Sequence, residues 1–122
     1  MLLKQVSEMH KKFGITPDKV TFYQAEKEFR IMCLREEIQE YEDANNPADE
    51  LDALVDLMVF ALGTVDRQGF AHVFEEAFRR VMEANCKKEV GPNKKRLGFQ
   101  IDLVKPEGWT APDLSDLVEG MV

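Results

Sequence analysis

The stretch from Ala48 to Arg67 reads ADELDALVDLMVFALGTVDR, and its reading decides the fold. Apolar residues recur through it with helical spacing, and Asn45-Asn46-Pro47 breaks the chain just ahead of it, so a helix is predicted over about 48–67. Between Ala53 and Val65, Asp56 is the sole charged residue, and Asp52 lies one turn before it on the same face. A buried carboxylate is costly, so it is normally paired, protonated or bound to a metal. No lysine or arginine occurs in this helix before Arg67, so a partner must come from elsewhere. Asp49 and Glu50 are explained by the favourable dipole of a helix N-terminus, whereas Asp56 lies beyond its reach.

Working outward, three more helices follow from periodicity. The first, about Leu2 to Phe13, puts Leu3, Val6, Met9 or His10, and Phe13 on one stripe, and Gly14 ends it. Thr16-Pro17-Asp18 reads as the cap and first turn of a long second helix running to about Asp43, with Phe22, Ala25, Phe29, Met32 and Cys33 on its apolar face. Gly69 separates the third helix from a fourth, about Phe70 to Lys87, with Phe74, Ala77, Phe78 and Val81 inward. Beyond Lys88, Gly91-Pro92-Asn93 is a turn and Lys94-Lys95-Arg96 a basic cluster. Leu97, Phe99, Ile101 and Leu103 then alternate as in one short strand, and an irregular tail follows from Lys105. The expected fold is all-α, a four-helix bundle with a short extended C-terminal tail, in a single domain over residues 1–122.

The second helix carries an anomaly of its own. Extending its stripe from Phe29 and Cys33 lands on Glu36, Glu37 and Glu40, so two or three carboxylates gather at one end of an inward face. Such carboxylates repel unless a cation or an arginine lies between them. Glu37, Glu40 and Asp56 together point to a metal site, and oxygen-only donors suit magnesium or manganese rather than zinc or copper. A di-iron bundle would need Glu-x-x-His pairs, yet His10 follows Ser7 and His72 follows Gly69 at that spacing, so both histidines read as structural. The inward stripe of the fourth helix extends to Asn85 and Lys88. This amide and ammonium can meet a nucleotide and its phosphates, or form an ordinary hydrated helix end.

Composition narrows the partners. A net charge of −7 argues against a nucleic-acid backbone or an anionic membrane, and a nucleoside triphosphate would be repelled unless divalent cations came first. The segment Leu51–Val65 is too short to span a bilayer and contains two aspartates, and the start lacks the apolar run of a signal peptide. Cys33 and Cys86 are too few for a disulfide framework or a zinc site, and Cys33 reads as a buried thiol. A cytoplasmic protein is expected.

Glu36-Glu37-x-x-Glu40, followed after a short loop by an aspartate-bearing apolar helix, resembles the signature of the all-α nucleotide pyrophosphatases. That superfamily includes MazG proteins, dimeric dUTPases and phosphoribosyl-ATP pyrophosphohydrolase. Asp52-Ala53-Leu54-Val55-Asp56-Leu57, Ala61-Leu62-Gly63-Thr64, Val81 to Lys88 and Lys105-Pro106-x-Gly-Trp109 resemble its phosphoribosyl-ATP-pyrophosphohydrolase-like branch. The likeness runs from about His10 to Asp113. One position departs: the superfamily commonly shows Glu-x-x-Asp on the third helix, and Ala53 stands three residues before Asp56, which leaves Asp52 or Asp49 to supply that carboxylate.

The resemblance implies a MazG-like bundle that hydrolyses a nucleotide between its α and β phosphates, giving a monophosphate and pyrophosphate. It implies Mg2+ (Mn2+ as an alternative) on Glu37, Glu40, Asp52 and Asp56, with Glu36 or Glu37, whichever stays uncoordinated, accepting the proton of the attacking water. Lys88 and Lys105 would contact phosphates, Asn85 the nucleoside, and Trp109 would stack, seal the site or simply pack on the tail. It also implies a homodimer or a tetramer built from dimers, and several phenylalanines on amphipathic helices in so small a chain point the same way. Two alternatives remain: phosphoribosyl-ATP hydrolysis, and a non-catalytic helical interaction module whose acids hold a structural cation.

Overall fold

The computed structural model describes residues 1–19, 21–96 and 98–121. Among these the chain forms four α-helices, α1 Leu2–Lys12, α2 Gln24–Asp43, α3 Pro47–Arg67 and α4 Phe74–Asn85. Two short strands, β1 Glu89–Val90 and β2 Leu103–Val104, complete a mostly helical chain. Among the described residues no helix is long and apolar enough to cross a membrane. Two compact units arise, one of Met1–His72 with the last residues from Gly120, the other of Val73–Glu119.

The third helix starts where its sequence predicts. Asn46 caps it, accepting the Asp49 N–H at 2.9 Å and donating to the Asp49 carboxylate at 2.8 Å. Pro47 occupies the first turn, where its missing N–H has no intrahelical partner to lose. Asp49 is thereby engaged at the cap.

The second helix starts later than Thr16-Pro17-Asp18 predicts, because α3 captures that segment. Arg67 donates to the Thr16 carbonyl at 2.6 Å and the Thr21 hydroxyl at 2.9 Å, while the Asp18 N–H donates to the Arg67 carbonyl at 2.9 Å. These bonds hold the backbone before residue 24 as a connector against the end of α3, and α2 begins at Gln24.

Both α1 and α2 pack on α3. The short 44–46 connection makes α2 and α3 a helical hairpin, and its register can be followed residue by residue. Arg67 holds Glu26 through two hydrogen bonds of 2.7 and 2.9 Å. One turn on, a Cβ on Gly63 would lie 3.1 Å from Arg30 Nη1. Further along, Asp56 meets Glu37. Residue numbers rise on one helix as they fall on the other, as an antiparallel pair requires. From α1, His10 reaches the same region: its Nδ1 lies 2.8 Å from Asp66 Oδ2, and the pair is buried, 4% and 2% exposed. Gly63 makes this convergence possible, since a Cβ there would also stand 3.1 Å from His10 Nε2.

The α2 face turned to α3 is therefore Glu26, Arg30, Cys33 and Glu37, a largely polar stripe. The predicted apolar face divides. Phe22 and Cys33 are buried, but Ala25, Phe29 and Met32 are exposed, the last two at 50% and 52%. Ion pairing of Arg67 with Glu26 and the fit of Arg30 over Gly63 set the rotation of α2, and its larger apolar side chains face outward. Met9 on α1 and Phe13 just past its end are likewise exposed, while Val6 and His10 are buried. Leu51, Leu54, Val55 and Met58 on α3 are also exposed.

The fourth helix is shorter than predicted: a 3₁₀ turn, Ala71–Val73, precedes α4, which lies in the second unit. Phe78 is exposed rather than inward, and Ala84 is buried. After α4, β1 pairs antiparallel with β2, Glu89 opposite Val104 and Val90 opposite Leu103. The extended segment is thus confined to Leu103–Val104; of the predicted alternation, Leu97 lies outside the described residues, and Phe99 and Ile101 are exposed and not in a strand. Arg80 ties the tail back by donating to Asp116 at 2.6 and 2.9 Å and to the Asp113 carbonyl at 3.0 Å.

Candidate functional site

The α2–α3 hairpin is charge-balanced at one end and not at the other. Arg67 answers Glu26, but toward the 44–46 loop Glu37, Glu40 and Asp56 each place a carboxylate oxygen within 4.8 Å of the other two. Spacing brings Glu37 and Glu40 onto one side of α2, and the antiparallel register carries Asp56 to them. Exposure grades across the set, from buried Glu37 through half-buried Asp56 to exposed Glu40, so the cluster opens to solvent on one side.

Among the described residues, none of the three acids makes an ion pair. Glu37 is 8% exposed, and its Oε2 is buried without any hydrogen-bond partner. Burial, then hydrogen bonding with Glu40, then the charges of Glu40, Asp56 and Asp52 push the Glu37 carboxyl up to about 7. Asp56 is raised as well, first by burial and then by the charges of Asp52 and Glu40. An orphaned buried oxygen among like charges is a costly arrangement for a fold to keep. A proton relieves it partly, and a divalent cation placed among three oxygen donors relieves more of it.

The remaining acids sit around this cluster. Asp52 is exposed and contributes charge to both Glu37 and Asp56, without its carboxylate joining the tight set of three. Glu36 is exposed on α2, outside the cluster, where its charge helps raise the buried Cys33 thiol, after the larger effect of burial. Ala53, three residues before Asp56, is 2% exposed and serves packing.

Within the second unit a different set converges. Trp109 Nε1 donates to the Ala84 carbonyl at 2.7 Å, near the end of α4, and this bond orients the indole. Lys88 Nζ stands 5.1 Å and Lys105 Nζ 5.2 Å from the Trp109 ring centroid, so two ammonium groups share one aromatic platform. The motif Lys105-Pro106-Glu107-Gly108-Trp109 acquires a local reason: the Trp109 N–H closes on the Pro106 carbonyl at 3.0 Å, and Gly108 at φ +81° occupies the turn position that needs a residue without a Cβ. Asn85, the last residue of α4, is half-buried and lines the same groove as Lys88 and Lys105. Asn85, Lys88, Lys105 and Trp109 thus assemble in one unit, and the carboxylates in the other.

Sequence periodicity did not single out Arg30, whose Nε is buried without a partner, nor the bidentate clamp of Arg96 on Asp102 at 2.9 and 3.0 Å. Arg30 lies four residues after Glu26 and seven before Glu37, a polar helical stripe that competes with the apolar one and is the signal available for it. No protein-family model matches the chain, and no curated protein matches it.

Proposed function

We propose that this chain is a divalent-metal-dependent nucleoside triphosphate pyrophosphohydrolase of the MazG-like, four-helix type, cutting between the α and β phosphates. The observation that carries the reading is the buried, partnerless Oε2 of Glu37 beside Glu40 and Asp56. An orphaned oxygen in an all-carboxylate set fits a hard cation, Mg2+ with Mn2+ as substitute, held by Glu37, Glu40 and Asp56, with Asp52 adding charge close by. Such an ion, when bound, supplies neutralisation of phosphate charge and activation of water toward attack.

The chain's own residues have distinct parts. Glu36, exposed and outside the cluster, is the carboxylate left uncoordinated to take the proton of the attacking water, a role open to Glu37 only if it stays uncoordinated. In this reading Lys88 and Lys105, now over the Trp109 ring, turn to phosphate oxygens, and the indole stacks on the nucleotide or seals it in. Asn85 offers its amide to the nucleoside, and the bond to Ala84 spares Trp109 the entropy of ordering on binding. The apolar side chains that α2 and α3 leave exposed, Phe29, Met32, Leu54 and Met58 among them, are what a homodimer, or a tetramer built from dimers, would cover. Two free cysteines accord with a reducing cytoplasm.

The test is pyrophosphate release from a panel of nucleoside and deoxynucleoside triphosphates and phosphoribosyl-ATP, with magnesium, with manganese and with chelator. Metal-dependent pyrophosphate and monophosphate, lost in Asp56→Asn, is the expected result. A folded, metal-binding protein that releases no pyrophosphate from any nucleotide would overturn it in favour of a structural cation.

A further inference from the structure

We propose that the β1–β2 ribbon and its turn form a phosphate-chain-binding groove, in which Lys94 and Lys95 are phosphate contacts beyond Lys88 and Lys105. The proposal deepens the pyrophosphohydrolase reading and rests on it for the identity of the anion as the triphosphate of a nucleotide.

The groove encloses about 650 Å³ and lies wholly within the second unit. Lys88, Lys94, Lys95, Arg96 and Lys105 line it, and Asp102 is its one carboxylate. Arg96 neutralises that carboxylate, and its hydrogen bonds hold Asp102 below the usual carboxylate range. Among the described residues none of the four lysines makes an ion pair. In a chain whose net charge is −7, four ammonium groups around one cavity, Lys88 and Lys105 over the Trp109 ring and Lys94 and Lys95 exposed, are a local reversal of sign. Self-repulsion among them is relieved by a polyvalent anion, and the field they make draws one in.

The groove is also braced. The Gly91 N–H donates to the Asp102 carbonyl at 2.8 Å and Asn93 Nδ2 to the Leu103 carbonyl at 3.0 Å. Asn93 Oδ1 in turn accepts the Lys95 N–H at 2.9 Å, and the Arg96 N–H donates to the Asn93 carbonyl at 3.0 Å. With Arg96 locked on Asp102, the backbone bearing Lys94 and Lys95 is fixed before any ligand arrives, which lowers the ordering cost of binding. The cavity lies within the range of small-ligand sites. A short phosphate chain suits it better than a nucleic acid, because the acidic remainder of the chain opposes a long polyanion.

The experiment is calorimetric titration of the full chain with inorganic tripolyphosphate at low salt in the presence of chelator, so that the carboxylate cluster has no metal to offer. Wild type should bind, and Lys94→Ala/Lys95→Ala should bind at least about tenfold more weakly, as expected for two lost charge-assisted contacts. Lys11→Ala/Lys12→Ala, the same charge change on α1, should bind as wild type does. The groove is refuted by no binding in wild type, by equal weakening in both double variants, by a strict requirement for magnesium, or by a single-stranded oligonucleotide that outcompetes tripolyphosphate. Its failure is separable from that of the enzyme. Binding in chelator without pyrophosphate release from any nucleotide sustains the groove and removes the hydrolase. Pyrophosphate release with an unchanged KM in Lys94→Ala/Lys95→Ala sustains the hydrolase and removes the groove.

Discussion

Metal binding at the α2–α3 hairpin should depend on pH in a range where ordinary carboxylates do not titrate. Glu37 is pushed from an ordinary 4.5 up to about 7, and a carboxylate must lose its proton to ligate a cation. A group titrating near 7 is about nine-tenths ionised at about pH 8 and about one-tenth at about pH 6, whereas an ordinary glutamate is almost wholly ionised at both. Manganese affinity should therefore fall about tenfold between those two pH values, if Glu37 is a ligand whose proton must leave. The sign for stability is opposite. Because the folded pKa lies above the unfolded one, the metal-free fold holds this proton more tightly than the unfolded chain does. That contribution to stability is complete below about 4.5 and is lost as pH rises through about 7. Titration of free manganese followed by electron paramagnetic resonance, on wild type and Glu37→Gln at each pH, measures the affinity. Equal wild-type affinity at both values, or a tenfold dependence retained in Glu37→Gln, would rule out Glu37 as the titrating ligand.

Other outcomes follow from the same geometry. Asp56→Asn and Glu40→Gln should each lower metal-dependent pyrophosphate release by about 100-fold or more while leaving circular dichroism unchanged, since each removes one of three clustered oxygens. A variant that unfolds instead would assign the acids to structure. His10→Ala strands the Asp66 carboxylate, 2% exposed, without its partner, and should cost about 3 kcal/mol in urea unfolding. Asp66→Asn, which keeps a hydrogen-bonding group opposite His10, should cost less. Arg67→Ala frees both Thr16 and Thr21, and tryptic cleavage after the exposed Lys19 should quicken by about tenfold as the connector opens. Trp109→Phe removes the bond to Ala84 and should destabilise the second unit by about 1 kcal/mol beyond the change in size, read from its local thermal transition.

Helix content, the start of α3 and the candidate acids were legible in the chain because each rests on local chemistry. Asn46-Pro47 must begin a helix where it does, Asp56 is conspicuous in an apolar run, and three-and-four spacing sets Glu37 and Glu40 on one side of α2 whatever surrounds them. Which face of α2 turns inward was not legible. Periodicity favours Phe29 and Met32, yet the register is set by partners distant in sequence, Glu26 with Arg67, Arg30 with Gly63 and Glu37 with Asp56, so that Glu37 is buried, Glu26 and Arg30 are half-buried, and Phe29 and Met32 are exposed. The late start of α2 has the same origin, since the side chain that captures Thr16 and Thr21 lies at the far end of another helix. Only the tertiary structure decided that Glu37, rather than Glu36 or Asp52, is the acid left buried with an oxygen unanswered. Burial and the absence of a partner depend on what packs against a residue, and packing is long-range, whereas caps, turns and spacings are determined within a few residues of chain.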